Sequence, residues 1–321
     1  MKDSTKKRLA FYALLFLIVI SIFVFQKTRE TTKSVTYTKY LDTVCDITIT
    51  SKTDKPFKIC EEYLNFAQKE FSAEDKSSTL YNYNHYQKMK YSDDLLKLIS
   101  IGEEYSKKYP EYFSIHLDEL INLWNITGSP TKVPSSEEIE KSLKNKSVNL
   151  GGIAKGYITD KLVNKLKDSD VDSALINLGG NIYALGKKQN GTNWKIGIQN
   201  PKDESKIIGA ITAENLAIVT SGDYQRYVEI DGKKYHHIFN PKTGFPVDNG
   251  IRSVTVICED ATTADALSTI AFVAGIEEGN KILKEHNAMG IFITDDKIYF
   301  SKSLENIFRQ DDLSYKYEFL Y

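Results

Sequence analysis

The stretch IRSVTVICEDATTADALSTIAFVA, from Ile251 to Ala274, places a strand directly before a helix and so contains both element types of the fold. Its first part is rich in β-branched residues, which is typical of a strand, and a helix is predicted from about Thr263 to Ala274. Asp265 and Thr269 are four positions apart in that helix and therefore share one face. Their oxygens are hard ligands of the kind that Mg²⁺ takes beside water and substrate phosphates.

The same residues have a second interpretation. Thr262 and Asp265 have the spacing of a capping box at a helix N-terminus, and the Thr269 hydroxyl could bond to the preceding helical turn. Capping is a common use of such residues. Taken alone, this pair therefore favours a cap over a metal site.

The chain around this stretch predicts an α+β fold with a mostly antiparallel sheet and packed helices. Helical spacing covers residues 56–71 and 93–109, and TVCDITIT near the start reads as a strand. From Val171 onward, short apolar or alternating runs are separated by turn residues: DSALINLGG, NIYALG, NWKIGIQNP, KIIGAIT, LAIVTSG, YQRYVEIDG and KKYHHIF. Asp231–Gly232 between two of these runs predicts a hairpin.

The N-terminus predicts a membrane anchor. Basic residues at positions 6–8 precede an apolar run from Leu9 to Phe25, at the short end of the about 17–25 residues that span a bilayer. The positive-inside rule then gives a cytoplasmic tail (1–8), a transmembrane helix (9–25), a polar stalk (26–36) and an extracytoplasmic domain (37–321). We expect a single-pass protein of the cell membrane, with a cleaved signal peptide as the weaker alternative.

Composition excludes some classes of function. The 321 residues carry a formal net charge of -1, so a clustered basic surface for nucleic acid is not indicated. Cys45, Cys60 and Cys258 are widely spaced and have no metal-binding pattern. We expect all three to be buried apolar side chains.

The segment NLGGIAKGYITD, Asn149 to Asp160, resembles a phosphate loop only superficially. Lys155 precedes Gly156, and Tyr157 stands where a phosphate loop needs a hydroxyl ligand for the metal. The spacing of the glycines does not fit a dinucleotide fingerprint either. A turn that leads into a helix is the better interpretation of these residues alone.

The segment YHHIFNPKTGFP offers a candidate general base. In a strand, His236 and His237 point to opposite faces, so only one of them enters a given site. No other histidine forms a metal-binding pair with His237 at helical spacing, which argues against zinc. Ser221 in TSGDYQRYVE lacks the Gly-x-Ser-x-Gly elbow of a serine hydrolase.

Taken together and in order, the motifs resemble the ApbE family, the FAD:protein FMN transferases. The resemblance covers roughly Tyr40 to Gly275. It rests on LDTVCDIT, STLYNYN, YFSIHLDELINLW, VPSSEEI, NLGGIAKGYITD, LINLGGNIYALG, WKIGIQNP, TSGDYQRY, HHIFNPKTGFP and SVTVICEDATTADALSTIAFVAG.

The resemblance implies an enzyme that cleaves FAD and attaches FMN to a Thr or Ser hydroxyl of an exported acceptor protein. AMP leaves, and Mg²⁺ is required. By similarity, Asp265, Thr269 and the main-chain carbonyl of Ala154 would hold Mg²⁺, and His237 would accept the proton of the target hydroxyl. The FAD-binding residues implied in the same way are Leu41, Asn84, Tyr112, Phe113, Ser114, Asn149, Lys155, Thr243 and Gly244.

This chain departs from the family pattern at three aspartate positions and at one threonine position. Ser114, Asn149 and Asn240 stand where the family usually has aspartate, and His116 stands where it has threonine. Asparagine and serine still form hydrogen bonds to flavin or ribose, but they cannot replace a carboxylate base or ligand. The alternative function is therefore a flavin-binding protein without transferase activity, or an FAD pyrophosphatase that gives FMN and AMP.

Overall fold

A computed structural model of the protein describes Tyr12, Leu15, Phe16, residues 30–86 and residues 90–321. The predicted cytoplasmic tail and nearly all of the predicted anchor, 9–25, lie outside these residues. Within the described part, no helix is both long and apolar enough to span a bilayer. The predicted stalk boundary is wrong for residues 31–36, because they belong to the first strand of the folded domain.

From residue 30 onward, the described chain begins with two strands, which are followed by six α-helices, eight strands, two α-helices and four strands. The strands are β1 (Thr31–Tyr40), β2 (Thr43–Ser51), β3 (Ala174–Leu178), β4 (Asn181–Leu185), β5 (Trp194–Asn200), β6 (Asp203–Ala213), β7 (Leu216–Gly222), β8 (Tyr227–Ile230), β9 (Lys233–His236), β10 (Ser253–Cys258), β11 (Met289–Ile293), β12 (Lys297–Ser301), β13 (Phe308–Gln310) and β14 (Lys316–Leu320). The helices are α1 (Lys55–Phe71), α2 (Thr79–Tyr86), α3 (Asp93–Lys108), α4 (Asp118–Trp124), α5 (Ser136–Leu143), α6 (Ala154–Lys167), α7 (Ala261–Ala274) and α8 (Ile276–Glu285).

The strands form a large sheet, a small sheet and a hairpin. The large sheet has nine strands in the order β1-β2-β3-β4-β7-β10-β11-β12-β14, the small one has the order β13-β6-β5, and β8 pairs with β9. The β12–β14 pair is parallel, whereas the other described pairs are antiparallel. The predicted α+β class with a mostly antiparallel sheet is confirmed.

Both faces of the large sheet are covered. Helices α1, α3, α6 and α7 pack with one face in the main core. The small sheet covers the other face, where its Ile196 and Ile211 share a second core with Ile257 of β10. Strand β10 lies between these layers, and all of its residues are buried. This explains why its sequence, SVTVIC, contains no charged residue and why even Ser253 and Thr255 are buried.

Most local predictions match the structure. Helix α1 carries a proline in its first turn, and α3 ends at Lys108, just before Pro110. Asp231 and Gly232 join β8 to β9 with φ values of 51° and 76°, as a type I′ turn requires. The three cysteines are buried and free, as expected.

The start of α7 corrects the capping-box interpretation. The N-cap is Asp260, whose side chain accepts a hydrogen bond from Thr263 N at 2.7 Å. Asp160 of α6 bonds to the same helix end, with its carboxylate accepting from Ala261 N at 2.9 Å and Thr262 N at 2.8 Å. Because these two carboxylates satisfy the first N–H groups of α7, Asp265 is not needed as a cap.

Replacing Asp160 by alanine should destabilise the protein by about 1–2 kcal/mol, because two helix N–H groups lose their acceptor. Asp160→Asn should cost less, since it keeps an oxygen acceptor and removes repulsion with Asp260. Urea unfolding measures both changes. The exposed Asp168 is the matched control, and its change to alanine should shift the free energy of unfolding by less than about 0.5 kcal/mol. Equal stability of Asp160→Ala and wild type would contradict the capping role.

Candidate active site

A cavity of about 1080 Å³ opens where α6 and α7 meet the central strands β4 and β7 of the large sheet. Asp265 and Thr269 reach it from α7, and Ala154 and Lys155 reach it from the first turn of α6. His237 reaches it from the segment after β9. The volume is at the upper end of the roughly 300–1,000 Å³ of ligand pockets and so suits a large ligand.

Asp265 is fixed by the first turn of α6. Its side chain is 4% exposed, and its Oδ2 accepts a hydrogen bond from Gly156 N at 2.8 Å. Burial raises the pKa of Asp265, while the nearby Lys155 ammonium and the Gly156 N–H oppose that rise. The segment GGIAKG is thus a turn into a helix, as predicted, and its N–H groups also hold a carboxylate.

Gly156 permits this arrangement because the two helix ends lie in direct contact. A Cβ atom at position 156 would lie 2.2 Å from the Ala261 carbonyl oxygen and 2.8 Å from Asp265 Cβ. Such distances are impossible for a side chain unless the backbone moves. The sequence can bring Asp265 to the α6 N-terminus only with glycine here.

Thr269 lies one turn beyond Asp265, within a group of hydroxyls. Its Oγ1 is 3.5 Å from Ser221 Oγ on β7, and Ser221 Oγ is 2.8 Å from Ser268 Oγ. Ser268, not Thr269, bonds back to the Asp265 carbonyl of the preceding turn. Thr269 lines the cavity together with Asp265, so the sequence correctly placed both on one helical face.

The two adjacent histidines have different environments, as predicted. His236 is buried, with Nε2 bonded to the Val247 carbonyl at 2.7 Å and Nδ1 accepting from Ile238 N at 3.1 Å. His237 lines the cavity, and its Nδ1–H donates to the Arg226 carbonyl at 3.2 Å. Desolvation, with smaller contributions from nearby positive charges, lowers the pKa of His237 to about 3. The ring is therefore neutral near pH 7, with Nε2 free to accept a proton.

The structure brings most of the flavin-pocket candidates together and leaves three outside the cavity lining. The residues that line it are Leu41, Tyr112, Phe113, Ser114, Asn149 and Lys155. Asn84 instead clamps Val148, donating to its carbonyl at 2.9 Å and accepting from its N–H at 2.8 Å. Thr243 is exposed in a turn, and the Gly244 carbonyl accepts from Trp124 Nε1 at 2.8 Å.

The three residues that replace the family's aspartates occupy different environments. Asn240 is not among the cavity-lining residues; its Oδ1 accepts from Lys242 N at 2.8 Å in an Asx turn that aspartate would form equally well. Asn149 lines the cavity and donates through Nδ2 to the buried Asp118 at 3.0 Å. Ser114 Oγ accepts from the backbone N–H of His116 at 3.0 Å. The charge difference at the cavity is therefore limited to Ser114 and Asn149.

Sequence reasoning missed several cavity residues. Asn181 and Ser221 line the cavity, and the Arg226 carbonyl orients His237. The available signal for Asn181 was a polar residue directly after a Gly-Gly turn at the start of an apolar strand. No sequence pattern predicts the contact between the Arg226 carbonyl and His237, because a main-chain contact does not depend on side-chain identity.

The donor set fits a hydrated magnesium ion. In residues 30–86 and 90–321, no group of three or more His, Cys, Asp or Glu side chains could hold a metal. A cage of several acidic side chains or a zinc-type site is therefore not formed there. Mg²⁺ instead keeps several waters and uses one or two carboxylates with substrate phosphates. The single carboxylate of Asp265 with the Thr269 hydroxyl matches that requirement.

Comparisons of the sequence with known proteins agree on one family. A model of the ApbE family matches residues 41–293. An FAD:protein FMN transferase of Klebsiella pneumoniae is 34% identical over 229 residues, which are 64% of this chain and 71% of that protein. A protein of the same name from Haemophilus influenzae is 28% identical over 309 residues, covering 86% of this chain and 88% of that protein.

Solved structures share the fold. The ApbE protein of Thermotoga maritima has a TM-score of 0.78 at 29% identity, with 87% of this chain and all of that chain covered (100%). The flavin transferase ApbE of Vibrio cholerae has a TM-score of 0.76 at 24% identity and covers 87% of this chain and 99% of its own. The latter likeness supports the fold alone.

Gly156→Ala should destabilise the protein by about 1–3 kcal/mol, because the added methyl group forces α6 and α7 apart. The same change should displace Asp265 from the N–H that holds it. Chemical denaturation and a crystal structure of the variant measure the two effects. Gly151→Ala is the control, since Gly151 is exposed and its added methyl group would meet only the end of the Asn149 side chain, at 3.0 Å. A Gly156→Ala protein with wild-type stability would refute the close contact.

Acid should weaken the contribution of His236 to stability. Burial lowers the pKa of His236, so below about pH 6.5 the unfolded chain binds a proton that the folded chain rejects. The stability advantage of wild type over His236→Gln should therefore be smaller at about pH 5.5 than at about pH 8. Urea unfolding of both proteins at the two pH values measures this. An advantage that is constant or grows on acidification would contradict the neutral buried ring.

Proposed function

This chain belongs to the ApbE family of FAD:protein FMN transferases, and we propose that it transfers FMN to a Thr or Ser hydroxyl of an exported acceptor protein, with Mg²⁺ as cofactor. FAD is the substrate, and AMP is the second product. The observation that carries the proposal is the convergence of Asp265, Thr269, Lys155 and His237 on one cavity. Asp265 and Thr269 share α7, whereas His237 and Lys155 precede Asp265 by 28 and 110 positions, yet together the four residues supply a metal ligand set, a cation and a base.

His237 is proposed as the general base. Its Nδ1–H is held by the Arg226 carbonyl, so Nε2 carries the free lone pair. As the acceptor hydroxyl oxygen forms its bond to the phosphorus of the FMN half, its proton passes to Nε2 of His237. The bond from that phosphorus to the bridging oxygen breaks, and AMP leaves with the oxygen.

Charge at the diphosphate is balanced by residues of α6 and α7. Asp265, Thr269 and the Ala154 carbonyl would hold Mg²⁺, which neutralises phosphate charge in phosphoryl transfer. Lys155 lies in the same cavity and adds a second positive charge. Phosphoryl transfer depends mainly on positioning and electrostatic stabilisation. The rigid contact between α6 and α7 suits this reaction because it holds the ligand-binding residues in place.

The proposed location is the extracytoplasmic side of the cell membrane. The support is the sequence alone: basic residues at positions 6–8, followed by an apolar run at 9–25. An enzyme anchored in this way would meet acceptor proteins that are themselves exported. The identity of that acceptor would be set by its own target segment around the hydroxyl.

A second candidate function is FAD hydrolysis to FMN and AMP. It is favoured by Ser114 and Asn149, which line the cavity in place of the family's aspartates. Water would then take the place of the acceptor hydroxyl. The same Asp265 and Lys155 would be required, so the two functions differ in the nucleophile and not in the phosphate site.

His237→Ala should lower FMN transfer by about 100- to 10,000-fold, which is the usual contribution of a general base. FAD binding should be retained. The assay incubates the full chain with FAD, Mg²⁺ and an acceptor protein that a control FAD:protein FMN transferase flavinylates, and mass spectrometry detects the FMN increment. Asn240→Asp is the matched control, since Asn240 does not line the cavity. This variant should transfer FMN at the wild-type rate. Transfer by His237→Ala at the wild-type rate would exclude the proposed base.

Wild-type protein should release AMP much faster with the acceptor than without it. Chromatography of the nucleotides measures AMP in both conditions. Equal release, with no FMN increment on the acceptor, would replace the transferase proposal by the hydrolase. Asp265→Ala should abolish AMP release in either case, because both reactions need the same cation.

A further inference from the structure

Asn181 is an unusual buried residue. It is the first residue of β4, is 0% exposed and lines the large cavity. Neither Nδ2 nor Oδ1 has a hydrogen-bond partner. Among the buried side chains of the described chain that have unpartnered polar atoms, Asn181 is the one that lines this cavity.

Other asparagines of the fold show what a structural amide does. Asn177 on the neighbouring strand accepts from Gly180 N at 2.9 Å. The buried Asn200 donates to Asp312 at 3.0 Å and accepts from Tyr315 Oη at 3.1 Å. Burying an amide without such bonds is unfavourable. Asn181 therefore has no structural bonds to explain its presence in the interior.

The surroundings of Asn181 indicate what it binds. Helix α7 packs against β4, and the Asn181 amide lies beside the Asp265 carboxylate, whose negative charge it favours. An amide favours a carboxylate through its N–H groups, so Nδ2 is the atom that can turn toward Asp265, and Oδ1 is left for another partner. An amide oxygen is a hard ligand of the same class as those of Asp265 and Thr269.

We propose that Asn181 is a further binding residue of the cation site: its Nδ2 orients the Asp265 carboxylate, and its Oδ1 is an additional oxygen ligand for the divalent cation. This inference rests on the proposed function, because that function supplies the cation. Asn181 then completes its hydrogen bonds and contacts only when the site is loaded. In the metal-free protein, the unbonded Asn181 amide therefore lowers the free energy of unfolding below the value that an apolar residue of the same shape would give.

Asn181→Leu separates this role from a structural one, since leucine has nearly the shape of asparagine without its polar atoms. A structural asparagine would make the leucine variant less stable. A ligand-binding asparagine with unpartnered atoms makes the apo variant more stable and weakens the cation site. The two roles thus predict opposite signs for the same measurement.

The experiment measures melting temperature in EDTA and Mg²⁺ affinity by calorimetry, on the full chain without flavin. Asn181→Leu should raise the melting temperature in EDTA and weaken Mg²⁺ binding at least ~10-fold. Asn181→Asp keeps an oxygen ligand but lacks Nδ2, so it should bind Mg²⁺ more tightly than Asn181→Leu. Asn200→Leu, the buried and fully bonded control, should melt at a lower temperature with unchanged Mg²⁺ affinity.

The outcomes distinguish this inference from the proposed function. If wild type binds Mg²⁺ and Asn181→Leu binds it equally well, only the role of Asn181 is overturned. A lower melting temperature of Asn181→Leu in EDTA, or Mg²⁺ binding by Asn181→Asp that is no tighter than by Asn181→Leu, also overturns it. If wild type itself binds no Mg²⁺, the metal dependence of the proposed function fails as well.

Discussion

The contact between the N-terminal turns of α6 and α7 is the constraint on which the rest of the site depends. Gly156 has no side chain, so the Ala261 carbonyl and Asp265 lie directly against it. That closeness lets the Gly156 N–H bond the Asp265 carboxylate, and it lets Asp160 reach the first N–H groups of α7. One small residue thereby fixes the position of the carboxylate and the orientation of the helix that carries it.

The position of α7 makes this contact consequential. The helix is buried nearly along its whole length between the large sheet and the other helices. A carboxylate in such a place is costly unless it is bonded or paired, and Asp265 has an N–H, a nearby ammonium and a neighbouring amide. The same apolar surroundings strengthen its attraction for a cation. The burial that stabilises the fold thus also increases the electrostatic attraction between the Asp265 carboxylate and a positive charge.

The departures from the family pattern are explained in part by their neighbours. Asn240 forms a turn in which an amide and a carboxylate are equivalent acceptors. Asn149 lacks the negative charge of an aspartate, but its side chain donates a hydrogen bond to the buried carboxylate of Asp118. Desolvation raises the pKa of Asp118, and the Asn149 amide opposes that rise. Ser114 keeps a local bond to the backbone of His116, and nothing in the structure replaces the charge at that position.

The sequence by itself determined the α+β class, the main helices and strands, and the shared face of Asp265 and Thr269, because hydrophobic period and turn residues are local properties. It also separated His236 from His237, since alternation along an extended segment is local too. Only the tertiary structure decided that Asp160 and Asp260, not Asp265, cap α7. It likewise excluded Asn84 and Gly244 from the cavity and placed Asn181 in it. Each of those outcomes depends on which distant segments meet, and spacing along the chain carries no information about such contacts.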